Sequence, residues 1–352
     1  MAALTINHVA EKAGVSKATV SRVINRSSRV APDVAKRVQE AIEQTGYQLP
    51  ARRPGLRPAR RLGIRTGNIL FLALGFPADD PYGLVGYPDI LRGVESELAQ
   101  NGLKMMLASL AADGPLPLAL NANEVDGVML FGHSTALCAV AKARLREMPA
   151  VCLMRGFEEF RGQIDRVIFN NAPVGPMAAQ YLAAREHKLV AFYSINPNHP
   201  AINTRRHDFA RAAGEAGMEV LQLVSPHEAA GRHHETAEHQ SLAERLAAAS
   251  PRPTGLFVPM GFWVPYAYQA LRRYGIEPGR DIDIIACDNV PLFMNQLSPQ
   301  PAIIDINLPM VGVLGVRQLL WRMASRDVKN SIELSVEPIL LPGSEPAEQT
   351  FV

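Results

Sequence analysis

The stretch TINHVAEKAGVSKATVSRVIN, from Thr5 to Asn25, decides the fold of the N-terminal part of the chain. Apolar side chains recur there at helical spacing on both sides of a glycine; they are Ile6, Val9, Ala10 and Ala13 before it and Val20, Val23 and Ile24 after it. Gly14 ends the first helix, because a left-handed residue is cheapest as glycine, and Ser16 can cap the second. The pattern predicts a helix-turn-helix unit, whose second helix would lie in a DNA major groove.

A third helix is predicted from about Pro32 to Thr45. Proline suits the first turn of a helix, and Gly46 suits its end. One face would carry the apolar residues Val34, Val38, Ala41 and Ile42. A small helical hairpin in an α-rich enzyme is the alternative, and the continuation of the pattern into a third helix argues against it.

Residues 9–25, VAEKAGVSKATVSRVIN, are followed by Arg29–Val30 and by a helix that ends in Gly46–Tyr47. Over residues 5–47 this sequence resembles the headpiece of the lactose-repressor (LacI/GalR-type) family of bacterial transcription regulators. The resemblance implies a helix-turn-helix DNA-binding headpiece at residues 1–48. It also implies a DNA-contacting hinge after the headpiece and then a periplasmic-binding-protein-like body that binds a small-molecule effector.

The outer face of the second helix supplies the candidates for reading DNA. Lys17 and Arg22 can donate hydrogen bonds to guanine edges, and Ala18 can contact a thymine methyl group. We therefore expect these three residues to read bases. The residues expected to position the helix on phosphates are Thr5, Ser16, Thr19, Ser21, Asn25 and Arg29.

Residues 49–66 form a basic hinge or linker with six arginines. Leu56 lies nine residues after Tyr47, which is similar to the family's spacing for a leucine that enters the minor groove. Pro54 and Pro58 argue against a regular hinge helix, because an interior proline costs about 3 kcal/mol or more. The residues expected to contact the minor groove are Leu56 and the arginines Arg52, Arg53 and Arg57. A merely solvated tether is the alternative.

Charge is unevenly distributed along the chain. Residues 1–66 contain thirteen Lys and Arg against four Asp and Glu, a balance of +9, whereas the whole chain has a net charge of +2. A basic N-terminal segment followed by an acidic remainder indicates that only residues 1–66 bind a polyanion. Double-stranded DNA is therefore the expected macromolecular partner.

Cys138, Cys152 and Cys287 lie far apart in apolar surroundings, and their spacing fits no zinc pattern. We expect reduced core thiols in a cytoplasmic protein. Neither a signal sequence nor an apolar run of roughly 18 residues indicates export or a membrane span. The segment RHHETAEH at 232–239 lacks the HExxH pattern and is expected to be a solvated helix start. No metal and no cofactor is expected.

From Asn68 onward, short apolar runs alternate with helical patterns, which indicates an α/β fold of parallel sheets flanked by helices. Two similar sets follow one another. We assign lobe 1 to residues 67–171 and 304–332, and lobe 2 to residues 172–303 and 333–352. Ligands of such sheets bind beyond the carboxyl ends of the strands. The cleft between the lobes is therefore the expected effector site.

Three residues match the effector-contact pattern that the resemblance implies. Arg205 precedes Asp208–Phe209 by three residues, Asp288 ends the strand DIDIIACD, and Arg155 ends the strand AVCLMR. An arginine and an aspartate that face one pocket could hold a polyol, or they could pair with each other.

Aromatic residues are the other effector candidates. Where the family often has Asn-Asp, this chain has Met260–Gly261 followed by Phe262–Trp263, so Trp263 is either core or a stacking surface for a ligand ring. Tyr82 and Tyr87 lie before the first body helix, in a segment that either reaches the ligand or is a surface loop.

Together these features predict a sequence-specific DNA-binding transcription regulator, expected to be a repressor, that acts as a homodimer on a pseudo-palindromic operator. Its effector would be a small molecule such as a sugar or sugar derivative. A regulator that needs no effector is the first alternative. A solute-binding protein would lack the headpiece, and an α/β enzyme would need a nucleophile, base or metal set that the sequence does not show.

Overall fold

The computed structural model describes residues 6–24, 31–45, 64–74, 87–110, 116–132, 137, 139–226 and 232–344. The chain divides into two compact units, Met1–Leu56 and Arg57–Val352. Within the described residues, no helix is both long and apolar enough to cross a membrane.

The first unit contains the helices α1 (Ile6–Ala13), α2 (Lys17–Ile24) and α3 (Pro32–Thr45). Gly14 has a φ of +63° and ends α1, as the sequence predicts. The three helices share a core of Val9, Ala10, Ala13, Val20, Val38 and Ala41. All three predicted helices are therefore confirmed, and α1 and α2 form the expected helix-turn-helix.

The second unit contains two parallel sheets. In the first lobe the strands are β1 (Asn68–Leu74), β2 (Lys104–Leu110), β3 (Gly127–Gly132), β4 (Ala150–Leu153), β5 (Asp165–Phe169) and β11 (Glu333–Val336). They are arranged in the order β11-β5-β4-β3-β1-β2, and each neighbouring pair is parallel. The helices of this lobe are α4 (Tyr87–Gln100), α5 (Leu118–Asn121), α6 (Ala139–Glu147) and α12 (Leu308–Ala324).

The second lobe repeats this layout. Its strands are β6 (Leu189–Ser194), β7 (Glu219–Val224), β8 (Gly255–Val258), β9 (Asp283–Cys287), β10 (Ala302–Asp305) and β12 (Ile339–Leu341). Their order is β12-β10-β9-β8-β6-β7, with only the β10–β12 pair antiparallel among these described strands. Its helices are α7 (Val174–Ala184), α8 (Pro200–Glu215), α9 (Arg232–Ala248), α10 (Val264–Arg273) and α11 (Pro291–Met294).

The chain passes between the lobes later than the sequence predicts. β10 continues to Asp305 in the second lobe, so the passage expected at residue 304 follows that strand. The run LSVEPILL, expected to lie wholly in the second lobe from residue 333, is divided between the sheets. β11 pairs with β5 in the first lobe, and β12 pairs with β10 in the second. Pro338 lies between them and lacks the N–H that a continuous strand would need.

Helices α4 and α12 pack closely in the first lobe, and two glycines permit this approach. A Cβ atom on Gly93 would lie 2.0 Å from the carbonyl oxygen of Pro309, and one on Gly312 would lie 2.3 Å from that of Ile90. Because no side chain fits in this space, glycine is required at both positions.

Asp126 anchors the start of the second unit. Its carboxylate accepts hydrogen bonds from the backbone N–H groups of Arg65 at 2.9 Å, Thr66 at 2.9 Å and Gly67 at 2.7 Å. Burial raises the pKa of Asp126, but these hydrogen bonds outweigh burial, and the pKa is lowered overall. Arg65 and Thr66, which the sequence assigned to the linker, thus hydrogen-bond to the first lobe.

Two predictions about buried polar groups have different outcomes. Cys152 and Cys287 are free and buried, as predicted, and burial raises the pKa of Cys152 to about 12. Cys138 lies outside the described residues. In the histidine-rich segment expected to be solvated, His239 is buried, because α9 turns it between Tyr193 and Tyr266.

Candidate functional site

The start of α2 presents a polar, basic surface. Ser16 caps the helix, since its Oγ accepts a hydrogen bond from the backbone N–H of Thr19 at 3.2 Å and lies 2.9 Å from the Thr19 hydroxyl. Lys17 and Ala18, the first two residues of α2, are exposed. On the opposite side, Val20 is fully buried in the three-helix core. One side of α2 thus packs in the three-helix core, and its first turn is exposed on the other side.

Arg22 also belongs to α2, four residues after Ala18 in sequence. Ser21 also lies on α2, and Thr19 is half-buried. The remaining candidates for DNA contact lie outside the described residues; they are Thr5, Asn25, Arg29, Arg52, Arg53, Leu56 and Arg57.

In the second unit, Arg205 and Asp288 are brought together, as expected. Arg205 projects from α8, and Asp288 follows β9 directly with a φ of +75°. The Nη2 of Arg205 donates to the Oδ1 of Asp288 at 3.4 Å. Of the two possibilities that the sequence left open, the structure shows the pair bound to each other.

Two further groups hold the guanidinium of Arg205. Its Nε donates to the Oδ1 of Asn171 at 2.8 Å, and its Nη1 donates to the carbonyl oxygen of Pro259. Asn171 follows β5 of the first lobe, whereas Pro259 and Asp288 follow strands of the second. The carboxyl ends of strands from both lobes therefore meet at Arg205.

The Asp288 carboxylate has one oxygen with no hydrogen bond among the described residues. Oδ1 takes the bond from Arg205 and a weak one from the Cys287 thiol at 3.4 Å. Burial raises the pKa of Cys287, so the thiol keeps its proton and can donate. Oδ2 can therefore accept a further hydrogen bond.

Of the two possibilities left open for Trp263, the structure shows the core position, whereas its neighbour Phe262 is partly accessible. Trp263 is only 2% exposed, lies in the core of the second lobe and meets the His239 ring edge-on at 6.4 Å. It offers no face to a ligand. Phe262 is half-buried on the short 3-10 helix Gly261–Trp263 that follows β8, so it is the aromatic residue with accessible surface.

The other two effector candidates that the structure describes, Tyr87 and Arg155, belong to the first lobe. Tyr87 is 4% exposed, and its ring packs against Phe71 at 5.7 Å and Phe131 at 5.3 Å in the first lobe. It belongs to the core there, and Tyr82 lies outside the described residues. Arg155 is exposed just beyond β4 and is available at that strand end.

Sequence reasoning missed Asn171 and Phe169. Phe169 ends β5, and its ring centre lies 5.7 Å from the Cζ of Arg205. Their position at the carboxyl end of a strand was visible in the run RVIFNN, but no local pattern indicates that they meet α8. No group of three or more His, Cys, Asp or Glu in the described ranges is arranged to hold a metal ion.

Comparison with known proteins covers nearly the whole chain. Residues 5–49 match the family model "Bacterial regulatory proteins, lacI family", and residues 179–344 match "Periplasmic binding protein-like domain". The ribose operon repressor of Haemophilus influenzae is 25% identical over 338 residues, which cover 95% of this chain and 96% of that protein. The transcriptional repressor PurR of Mannheimia succiniciproducens is 26% identical over 351 residues, covering 96% and 97%.

A solved structure of the transcriptional regulator CelR in complex with cellobiose has a similar fold. Its TM-score is 0.60 at 22% identity, over 97% of this chain and 99% of that one. The matched headpiece, the matched body and the full-length similarity to repressors agree with the helix-turn-helix and the two parallel sheets. Residues 5–49 therefore form a headpiece of the type found in the lacI family of bacterial regulatory proteins, and the second unit contains a periplasmic-binding-protein-like domain.

Proposed function

We propose that this DNA-binding transcription regulator is a repressor that reads its operator with the first turn of α2. The observation that carries the proposal is the exposure of Lys17 and Ala18 on a helix start that Ser16 caps and a buried core supports. Lys17 and Arg22 would donate to guanine edges, and Ala18 would contact a thymine methyl group. The capped N-terminus of α2 would favour a nearby phosphate, because its free N–H groups point outward.

The protein would act as a homodimer in the cytoplasm, where operator DNA is accessible. Two headpieces related by a two-fold axis match a pseudo-palindromic operator. The basic charge of residues 1–66 supports additional phosphate contacts from the hinge, and these would make binding fall steeply with salt.

The effector would bind where the strand ends of the two lobes meet. The free Oδ2 of Asp288 can accept a hydrogen bond from a hydroxyl, and the half-buried Phe262 can pack against an apolar ring face. A sugar or sugar derivative has both features. The names of the ribose operon repressor and of the CelR–cellobiose complex agree with this ligand class.

A regulator that needs no effector is the second candidate, and one observation favours it. Arg205 already donates to Asn171, Pro259 and Asp288, so the cluster is stable without a ligand. A ligand would have to add hydrogen bonds to this set rather than fill an unpaired site.

Base readout is tested with variants of the full-length protein on a duplex that carries its selected operator. Lys17→Ala should weaken operator binding by about 1–3 kcal/mol and relax the base preference at one position of each half-site. Lys36→Ala, which removes an exposed lysine from α3, is the matched control for charge. Equal effects of the two substitutions, with base preference unchanged, would refute readout by α2.

The effector is tested by titrating monosaccharides and disaccharides into the protein–operator complex. A sugar that changes operator affinity should lose its effect in Asp288→Asn. Because this substitution also leaves the buried charge of Arg205 without its partner, circular dichroism and operator binding without sugar check that the variant is folded. Because coupling between two sites is reciprocal, the operator should change sugar affinity by the same factor. A sugar response that persists in Asp288→Asn would contradict this site.

A further inference from the structure

A cavity of about 290 Å³ opens in the first lobe, away from the strand ends that meet at Arg205. Its walls include Ala150, which begins β4, and Asp165, which begins β5. The cavity therefore lies at the amino edge of the sheet, whereas the proposed effector site lies beyond the carboxyl edge. The end of α6 and the loop after α12 complete it.

The two carboxylates that line the cavity are already neutralised. Asp165 is 1% exposed and accepts hydrogen bonds from Nε of Arg322 at 2.8 Å, from Nη2 of Arg322 at 2.5 Å, from Gln318 at 2.7 Å and from the backbone N–H of Ile332 at 2.9 Å. Glu147 is exposed and lies 3.7 Å from the guanidinium of Arg144. Neither carboxylate therefore cancels further positive charge in the cavity.

Three cations converge on the same cavity from two segments of the chain. Arg146 comes from the end of α6, and Arg326 and Lys329 come from the loop after α12. In the part of the chain that the structure describes, none of the three lies within salt-bridge distance of a carboxylate. Like charges held together on a rigid wall repel one another, and an anion would relieve that repulsion.

The loop that carries two of these cations is fixed in place. Arg322, which holds Asp165, also donates to the carbonyl oxygens of Val328 and Asn330, at 2.6 Å and 2.8 Å. Arg146 is steadied by the ring of Phe160, whose centre lies 5.7 Å from its Cζ. The loop backbone and the Arg146 side chain are thus held in place before any ligand arrives, which lowers the entropic cost of binding.

We propose that this cavity is a second ligand site, distinct from the effector cleft, that binds a phosphate-bearing small molecule through Arg146, Arg326 and Lys329. The arginine forks match phosphate oxygens in pairs, and the lysine adds a point charge. Met148, Ile164 and Val328 give the cavity apolar walls for the organic part of the ligand. Its size is near the lower end of roughly 300–1,000 Å³ for small-molecule sites.

Calorimetric titration of the full-length protein with pyrophosphate, at constant ionic strength, tests the proposal. We expect saturable binding to one site per chain. Arg326→Gln and Lys329→Gln should each weaken it by about tenfold, because each removes a charged hydrogen bond. Both residues are exposed, so these variants should keep the native unfolding temperature. Arg273→Gln, which removes an exposed arginine from α10 in the second lobe, is the matched control.

Absence of saturable pyrophosphate binding, or equal binding by Arg326→Gln, Lys329→Gln and Arg273→Gln, would overturn the proposal. Phosphates of DNA that flanks the operator are the other source of the same chemistry. If the two loop variants lower the salt dependence of operator binding while the free protein binds no pyrophosphate, the site belongs to DNA and the small-molecule proposal is wrong.

Discussion

The Nη2 of Arg205 lies 3.4 Å from the Oδ1 of Asp288, so the two residues first expected to hold an effector hold each other. Arg205 is 3% exposed and Asp288 is 9% exposed. A buried pair of this kind satisfies both charges, and removal of either partner leaves the other charge uncompensated.

Removal of the buried guanidinium should therefore destabilise the second unit strongly. Arg205→Met is expected to lower the free energy of unfolding by about 3–5 kcal/mol, because Asp288 and Asn171 lose their donor. Urea unfolding of the full-length protein measures this. Arg211→Met, on the exposed face of the same helix, should change the value by about 0.5 kcal/mol or less. A similar loss for both variants would show that Arg205 has no special structural role.

Asp126 should make stability depend on acid. The pKa of Asp126 is lowered in the folded protein, so its contribution is present above the ordinary value of 3.8 and is lost as the pH falls through the folded pKa. Asp126→Asn keeps the shape but replaces one acceptor oxygen with a donor facing backbone N–H groups. It should cost about 1–3 kcal/mol at neutral pH and weaken the acid dependence. If the unfolding curves of Asp126→Asn and wild type coincide at pH 7, the hydrogen bonds of Asp126 do not stabilise the protein.

His239 should produce a second pH dependence at milder acidity. Burial lowers the pKa of His239 to about 4 from 6.5, and its ring lies between Tyr193 and Tyr266. Its contribution to stability is present above pH 6.5 and is lost as the pH falls towards 4, by about 3 kcal/mol at most.

The measurement for His239 is the free energy of unfolding between pH 7 and pH 4. His239→Gln should flatten the curve over this interval, since the buried titrating ring is gone. His207→Gln removes an exposed histidine from α8 and should leave the slope as in wild type. Equal slopes for wild type and His239→Gln would mean that His239 titrates as a solvated residue.

The close approach of α4 to α12 should not tolerate a methyl group. In Gly93→Ala the new Cβ would lie 2.0 Å from the carbonyl oxygen of Pro309, so the helices must separate. A loss of about 1–3 kcal/mol is expected. Gly214 lies at an exposed position of α8, and a Cβ atom there would have no neighbouring atom within 4 Å. Gly214→Ala should therefore increase the free energy of unfolding by about 0.5–1 kcal/mol. Thermal unfolding of the two variants measures both changes in stability. A Gly93→Ala variant that is more stable than wild type would show that α4 and α12 do not pack this closely.

Much of the fold follows from local pattern. ILFLAL at residues 69–74 is continuously apolar and wholly buried, which is typical of a strand that is covered on both faces. The helix-turn-helix was equally readable, since its glycine, cap and apolar spacing all lie within residues 6–24. Local chemistry decides both cases.

Long-range packing decides the rest. In the dipeptide Phe262–Trp263 either ring could be core, and only the packing of the second lobe, in which Trp263 is 2% exposed and contacts His239, shows that it is Trp263. Asn171 bonds Arg205 across 34 positions of sequence, which no periodicity reveals. Similarly, the ordinary spacing of α9 gave no sign that His239 would be enclosed by two tyrosine rings.

Sequence-specific recognition of DNA by α2 can be tested by selection from a pool of random duplexes. The full-length protein is incubated with the pool at two salt concentrations, and the bound duplexes are sequenced. We expect enrichment of one two-fold symmetric site, with affinity that falls steeply as salt rises. If no site is enriched, or if binding is salt-sensitive but shows no sequence preference, α2 does not read a specific operator.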